Sequence, residues 1–165
     1  QSRMFPPIPR MPVLGVSWHD AVAYCEWRSK RESREIRLPT ETEWEKAARG
    51  VDGRWFPWGN RFDASLCNMN QSRRERNAPV MVDEYPTDLS VYGVRGMGGN
   101  MRDWTSTEEI HGEGNEARHT RVVRGGAWHF TSIGSRCAAR NTNGPADVDG
   151  DLGFRVCQVA RRTRQ

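Results

Sequence analysis

The chain is 165 residues long, enough for one domain with a core that needs no metal or disulfide staples. It is polar for a globular protein, with 36% hydrophobic and 28% charged residues and a mean hydropathy of -0.83, so its seven Trp, five Phe and three Tyr must carry the core. The net charge of +4 does not point to nucleic acid, because the basic residues are interspersed with carboxylates. The two basic clusters, Arg73-Arg74-Glu75-Arg76 and Arg161-Arg162-Thr163-Arg164, read as a solvated loop and a frayed tail at 161–165.

Residues 1–12 hold four of the nine prolines and read as an extended segment or linker, ahead of a domain over 13–160. Ser17 stands where an N-cap belongs, with Asp20 three residues on and Trp18, Ala21, Val22 and Cys25 at helical spacing, which predicts a helix over 18–31. Thr40 and Glu43 form a second capping box, before a helix that buries Trp44, Ala47 and Ala48 and stops at Gly50. From Trp55 onward rings alternate with turn residues, and only Val80-Met81-Val82 has a brief strand-like pattern. Three glycines among Gly96-Met97-Gly98-Gly99 require a tight turn or a close backbone approach, after which Trp104 re-enters the core. His111 to His119 reads as a polar loop, Arg121 to Trp128 as a strand, and Gly153 to Ala160 as the last strand. Residues 129–152 show neither helical nor alternating period, so they form a loop-rich surface held between two strands, the kind of place where function resides.

Cys25, Cys67, Cys137 and Cys157 occur singly, which excludes the paired spacing of a zinc site or a thioredoxin-like motif. They read mainly as buried thiols, with two disulfides left open for an exported protein. No stretch resembles a signal peptide or a membrane span of about twenty apolar residues, which favours a cytoplasmic location for this segment. Gln1 is not a natural start, so an upstream part of the parent chain is expected.

Several spaced motifs converge on one family. Gly15-Val16-Ser17-Trp18-His19-Asp20-Ala21, Arg37-Leu38-Pro39-Thr40-Glu41-Thr42-Glu43-Trp44, Phe56-Pro57-Trp58-Gly59-Asn60, Gly99-Asn100-Met101-Arg102-Asp103-Trp104, Arg124-Gly125-Gly126-Ala127-Trp128, Arg136-Cys137-Ala138-Ala139-Arg140 and Gly153-Phe154-Arg155 resemble, in order, the formylglycine-generating enzyme or sulfatase-modifying factor family. The resemblance implies a C-type-lectin-like α+β fold with little regular structure, two helices and small antiparallel sheets. It leaves function open, since that fold carries oxidases, sulfoxide synthase domains, non-catalytic paralogues, domains appended to bacterial kinases and the variable proteins of diversity-generating retroelements.

The oxidases of the family hold copper between two cysteines shortly after the Gly-Gly-x-Trp motif, as a soft Cu(I) ion requires. Here the first falls at Phe130 and the second within Ser132-Ile133-Gly134, so no copper is expected. Cys137 belongs to a motif whose cysteine looks structural in the family, while Ala48 replaces one usual disulfide partner and Cys157 is displaced by one residue. His19, His111, His119 and His129 have no helical i, i+4 metal spacing. For calcium, the resemblance places the ligands at Gly99, Met101 and Asp103, although Gly96 stands where the family offers a side-chain oxygen and Asp103 is shorter than the usual Glu. A second family site near Asn68 and Met69 lacks its downstream ligands. Asp147-x-Asp149-x-Asp151 imitates half an EF-hand loop, but Leu152 holds the glycine position and Gln158 the bidentate Glu position.

The expected function is therefore a ligand-binding domain that meets a protein or other macromolecule through His129, Phe130, Ser132, Ile133, Ser135, Thr142, Asn143, Asp147, Val148, Asp149 and Asp151. The resemblance adds that retroelement variable proteins place their diversified residues in this same interval. A metal-dependent oxidoreductase of the same superfamily and a sensor domain of a larger kinase chain are the alternatives.

Overall fold

The N-terminal third forms the two helices that its capping residues predict. In the computed structural model, which describes residues 8–73 and 78–159, helix α1 spans Trp18–Glu32 and α2 spans Glu41–Arg49. Both capping boxes are reciprocal: Ser17 Oγ accepts from the Asp20 backbone while Asp20 accepts from Ser17 N, and Thr40 and Glu43 repeat the exchange. α1 stops where Ser33 turns left-handed, and α2 stops at Gly50 with φ 76°. Residues 1–7, the basic run at 74–76 and the tail at 161–165 lie outside the described residues.

Six strands complete the fold: β1 Ile36–Arg37, β2 Arg102–His111, β3 Arg118–Arg124, β4 Arg140–Asn143, β5 Leu152–Phe154 and β6 Cys157–Gln158. One sheet has the order β4-β3-β2-β5, with β2–β3 and β3–β4 antiparallel and β5 parallel to β2; β1 and β6 form a separate antiparallel pair. The architecture is thus α+β, with long irregular connections.

Two expected strands change shape. The one read over 121–128 ends at Arg124, because Gly125, at φ 88°, turns the chain out of the sheet. The last splits at Arg155-Val156 into β5 and β6, which join different sheets. His111 and His119, read as flanking a loop, are strand residues of the β2–β3 hairpin. Val80-Met81-Val82 is not a strand: Val80 is buried and its two neighbours are exposed in irregular chain.

The larger core cluster joins Ala21 and Cys25 of α1 to Leu38, Trp104, Val123 and Leu152, so one helix covers the centre of the sheet. A second cluster, Trp44, Ala48, Met97 and Cys137, seats α2 against the loop before β2 and the loop after β3. Trp104, fully buried, removes about 150–250 Å² from water, and its Nε1 donates to Val16 O at 2.9 Å, so the ring fixes the entry to α1 as well as the sheet. All four cysteines are free thiols. Among the described residues no helix is long and apolar enough to cross a membrane.

Candidate functional site

The surface between β3 and β5 is raised on a buried arginine. Arg124, at the end of β3, is 2% exposed; its Nη2 donates to Glu45 Oε2 at 2.6 Å and to Cys137 O at 2.8 Å, tying the sheet to α2 and to the returning loop. Beyond Gly125 the chain folds into tight turns: Phe130 N donates to Ala127 O, Gly134 N to Thr131 O, and Phe130 O accepts from Asn70 N. Trp128 N donates to Asn100 O, which fastens this loop to the glycine turn before β2. That turn needs its glycines: a Cβ on Gly99 would sit 2.4 Å from Asn68 O.

The predicted residues converge on a group that the sequence reading missed, Arg102 at the start of β2. Its guanidinium grips Asp151 with two of its three nitrogens, Nε to Oδ2 at 2.9 Å and Nη2 to Oδ1 at 2.6 Å, and reaches Asp149 Oδ2 and Asn143 Oδ1 at 3.3 Å each. It also lies 5.4 Å from the centre of the Phe130 ring. Asn143 Nδ2 donates to Asp149 Oδ2 at 2.9 Å, and His129 Nε2 stands 3.6 Å from Asp151 Oδ2. Trp128, His129 and Phe130 pack edge to face at 4.6 and 4.8 Å. One buried cation therefore gathers His129, Phe130, Asn143, Asp149 and Asp151 from two loops and the end of β4.

Ile133, 70% exposed, and Phe130 wall a neighbouring hollow of about 480 Å³ that Asn141 and Arg140 close on the other side. Ser132 and Thr142 are half-buried, whereas Asp147 and Val148 stand out in solvent. Two members of the predicted surface are corrections. Ser135 is fully buried, held between Cys67 Sγ at 3.8 Å and Met69 Sδ at 3.9 Å, and Asp151 is 5% exposed because Arg102 draws it inward. Both support the surface from below and neither is displayed on it. Beneath the same loop the buried Trp128 Nε1 and Asn70 Oδ1 have no protein partner among the described residues. The rim carries Asp147 and Asp149 against the single inward-facing Arg102, an acidic edge on a chain of net charge +4.

No thiol serves this face. Burial pushes the Cys67 thiol up to about 12 and the Cys137 thiol up to about 11, so both are fully protonated at neutral pH; Cys25 and Cys157 are raised for the same reason. Among the described residues no three of His, Cys, Asp or Glu cluster closely enough to hold a metal ion.

Gly99, Met101 and Asp103 do share one cleft of about 430 Å³ with Gly96 and Arg155. Asp103 is 5% exposed, and its Oδ2 accepts from Trp44 Nε1 at 2.9 Å and from Arg155 Nε at 2.5 Å. The only carboxylate among the three residues is therefore already paired with a cation. Gly99 O accepts from Met101 N at 2.9 Å. Calcium accepts six to eight hard oxygens, and here the one side-chain carboxylate offered to it is shared with Arg155.

Comparison with known proteins agrees with this architecture. The model of the sulfatase-modifying factor enzyme 1-like domain matches residues 2–160. The inactive C-alpha-formylglycine-generating enzyme 2 of Mus musculus is 36% identical over 94% of this chain and 51% of its own length, and the formylglycine-generating enzyme of Bos taurus is 36% identical over 89% and 44%. The chain thus spans about half the length of these curated relatives. PvdO from Pseudomonas aeruginosa superposes with a TM-score of 0.79 at 27% identity, covering 93% of this chain and 64% of that one. Treponema denticola variable protein 1 superposes at 0.70 and 21% identity, covering 94% and 75%. The C-type-lectin-like α+β fold implied by the motifs is the fold observed.

Proposed function

The chain belongs to the sulfatase-modifying factor enzyme 1-like domain family, and from that premise we propose that it is a non-catalytic recognition domain, binding a protein ligand through the face between β3 and β5. One observation carries the reading: where the resemblance places two copper-binding thiols, this chain has Phe130 and Ser132-Ile133-Gly134. The side chains that replace them form a platform for contact rather than for redox chemistry. Phe130 braces Arg102, Ile133 walls a hollow, and Cys67 and Cys137 are locked in the core as protonated thiols.

The face has the composition of an adaptable interface: rings and Ile133 for contact area, hydroxyls and Asn143 for hydrogen bonds, and an acidic rim. Asp147 and Asp149 favour a ligand that brings a basic side chain to that edge, steering it by charge. The finer form of the proposal is a retroelement-diversified variable protein. On that reading variation falls on His129, Phe130, Ser132, Ile133, Thr142, Asn143, Asp147, Val148 and Asp149, while Arg102, Ser135 and Asp151 stay fixed because they hold the loops.

Sequencing independent copies of the parent gene with their flanking DNA tests this. The expected result is a template repeat whose differences are confined to adenine positions in codons of the exposed set. An identical surface in every copy, or changes spread equally over Ser135 and Asp151, would overturn the diversification reading.

A further inference from the structure

We propose that the recognition face takes an extended segment of its protein ligand as an added strand on the open edge of β4, an inference that rests on the recognition reading above and names its mode of binding. The two edges of the sheet differ. At the β5 end the chain covers its own edge: Gly15 N donates to Leu152 O at 3.1 Å, and Val13 O lies 2.2 Å from where a Cβ on Gly153 would stand. At the other end, among the described residues, no strand pairs outside Arg140–Asn143. Antiparallel pairing with β3 uses the N–H and C=O groups of alternate β4 residues, so those of the residues between face outward. Such an edge is a template for an extended peptide.

The side chains around this edge define what the added strand must carry. Asn141 and Asn143, two apart, share one face of β4. Asn141 lines the hollow of about 480 Å³ beside Phe130 and Ile133, whereas Asn143 Nδ2 donates to Asp149 Oδ2 at 2.9 Å and to Asp147 Oδ2 at 3.5 Å. These two stations lie about 7 Å apart along the strand, the repeat between side chains on one face of an extended peptide. A ligand strand therefore presents an apolar residue to the hollow and, two positions away, a Lys or Arg to the rim. Charge favours the basic residue: Arg102 meets two carboxylates, Asp149 and Asp151, and Asp147 adds a third, whose bonds to Asn143 Nδ2 and Gly144 N bring no positive charge. Arg140 does not oppose it, because its guanidinium is held by Glu41 and Glu109.

Peptides decide the point. Acetylated peptides of about nine residues, with Leu-x-Arg or Arg-x-Leu at the centre and Ser, Thr or Val elsewhere, are screened against the purified chain beside a set carrying Glu in place of Arg. The best binder should exceed its Glu counterpart at least about tenfold and weaken as salt rises. A single backbone N-methyl group should weaken it at least about tenfold at every second position and little at those between. Amide exchange followed by NMR should slow, on binding, at alternate residues of 140–143. Binding that leaves these amides unchanged, or that N-methylation does not weaken in alternation, would overturn edge docking while leaving recognition through Phe130 and Ile133 in place. A screen in which no peptide exceeds the Glu set would overturn edge docking as well, and the recognition reading would then rest on the comparison of gene copies.

Discussion

Replacing Asp151 by Asn tests whether the recognition face stands on Arg102. In the native chain the Arg102 and Asp151 side chains are 10% and 6% exposed and meet through two hydrogen bonds of 2.9 and 2.6 Å, so neither charge is well hydrated. Removing one partner of a buried pair costs about 3–5 kcal/mol, chiefly because the other charge is left uncompensated. Here Asp149 Oδ2 and Asn143 Oδ1 remain at 3.3 Å, so the lower end, about 3 kcal/mol, applies. For a domain of this size that corresponds to a melting point lower by roughly 6–12 °C. Asp149→Asn is the control: its side chain is 44% exposed and its contact with Arg102 longer, so it should cost well under about 1 kcal/mol while changing the acidic rim. Urea unfolding of both variants, followed by tryptophan fluorescence, separates the two. Equal costs, or an Asp151→Asn variant within about 0.5 kcal/mol of the native chain, would refute the distinction between supporting and displayed residues.

Other consequences follow from buried groups elsewhere. Burial raises the Asp88 carboxyl to about 6 even though it accepts from the backbone of Met97 and Gly98, so its folded-state value lies above its unfolded one. Its contribution is then complete below about pH 3.8 and is lost as pH rises through about 6, an effect on the order of 3 kcal/mol. Stability measured from pH 4 to 7 should fall less steeply in Asp88→Asn, and parallel curves would rule this out. A thiol reagent should modify half-exposed Cys157 first in the native state and reach Cys67 and Cys137 only on unfolding; rapid labelling of either buried thiol would contradict the core described above. Gly99→Ala should destabilise by at least about 1–3 kcal/mol, because its Cβ would lie 2.4 Å from Asn68 O; calorimetry showing an unchanged melting point would mean that the two loops do not approach so closely.

What the sequence revealed depended on range. The capping boxes at Ser17 and Thr40 and the apolar spacing behind them are local, and both helices lie where those residues put them. The motifs also located the fold, although periodicity alone did not. β2 escaped notice because Arg102 to Thr105 are buried on both faces while its outer part is mostly polar, and a register shift between Trp104 and Glu108 breaks the alternation further. β4 is wholly polar and lies at the sheet edge. Arg102 was illegible for a different reason: its partners are 41–49 residues away, and nothing local distinguishes a buried arginine from a solvated one. The same blindness made Ser135 and Asp151 look displayed, since residue type reports polarity and not whether a partner waits inside.

The most direct test of the account is oxidation itself. The purified chain, supplied with copper(I) and oxygen, is incubated with a cysteine-containing sulfatase peptide, and the peptide is weighed by mass spectrometry while bound copper is counted. A face that carries Phe130 and Ser132-Ile133-Gly134 in place of two thiols should leave the peptide cysteine unchanged and retain no stoichiometric copper. Formylglycine in the peptide, or one copper held per chain, would show that this surface performs the chemistry it is argued to have lost.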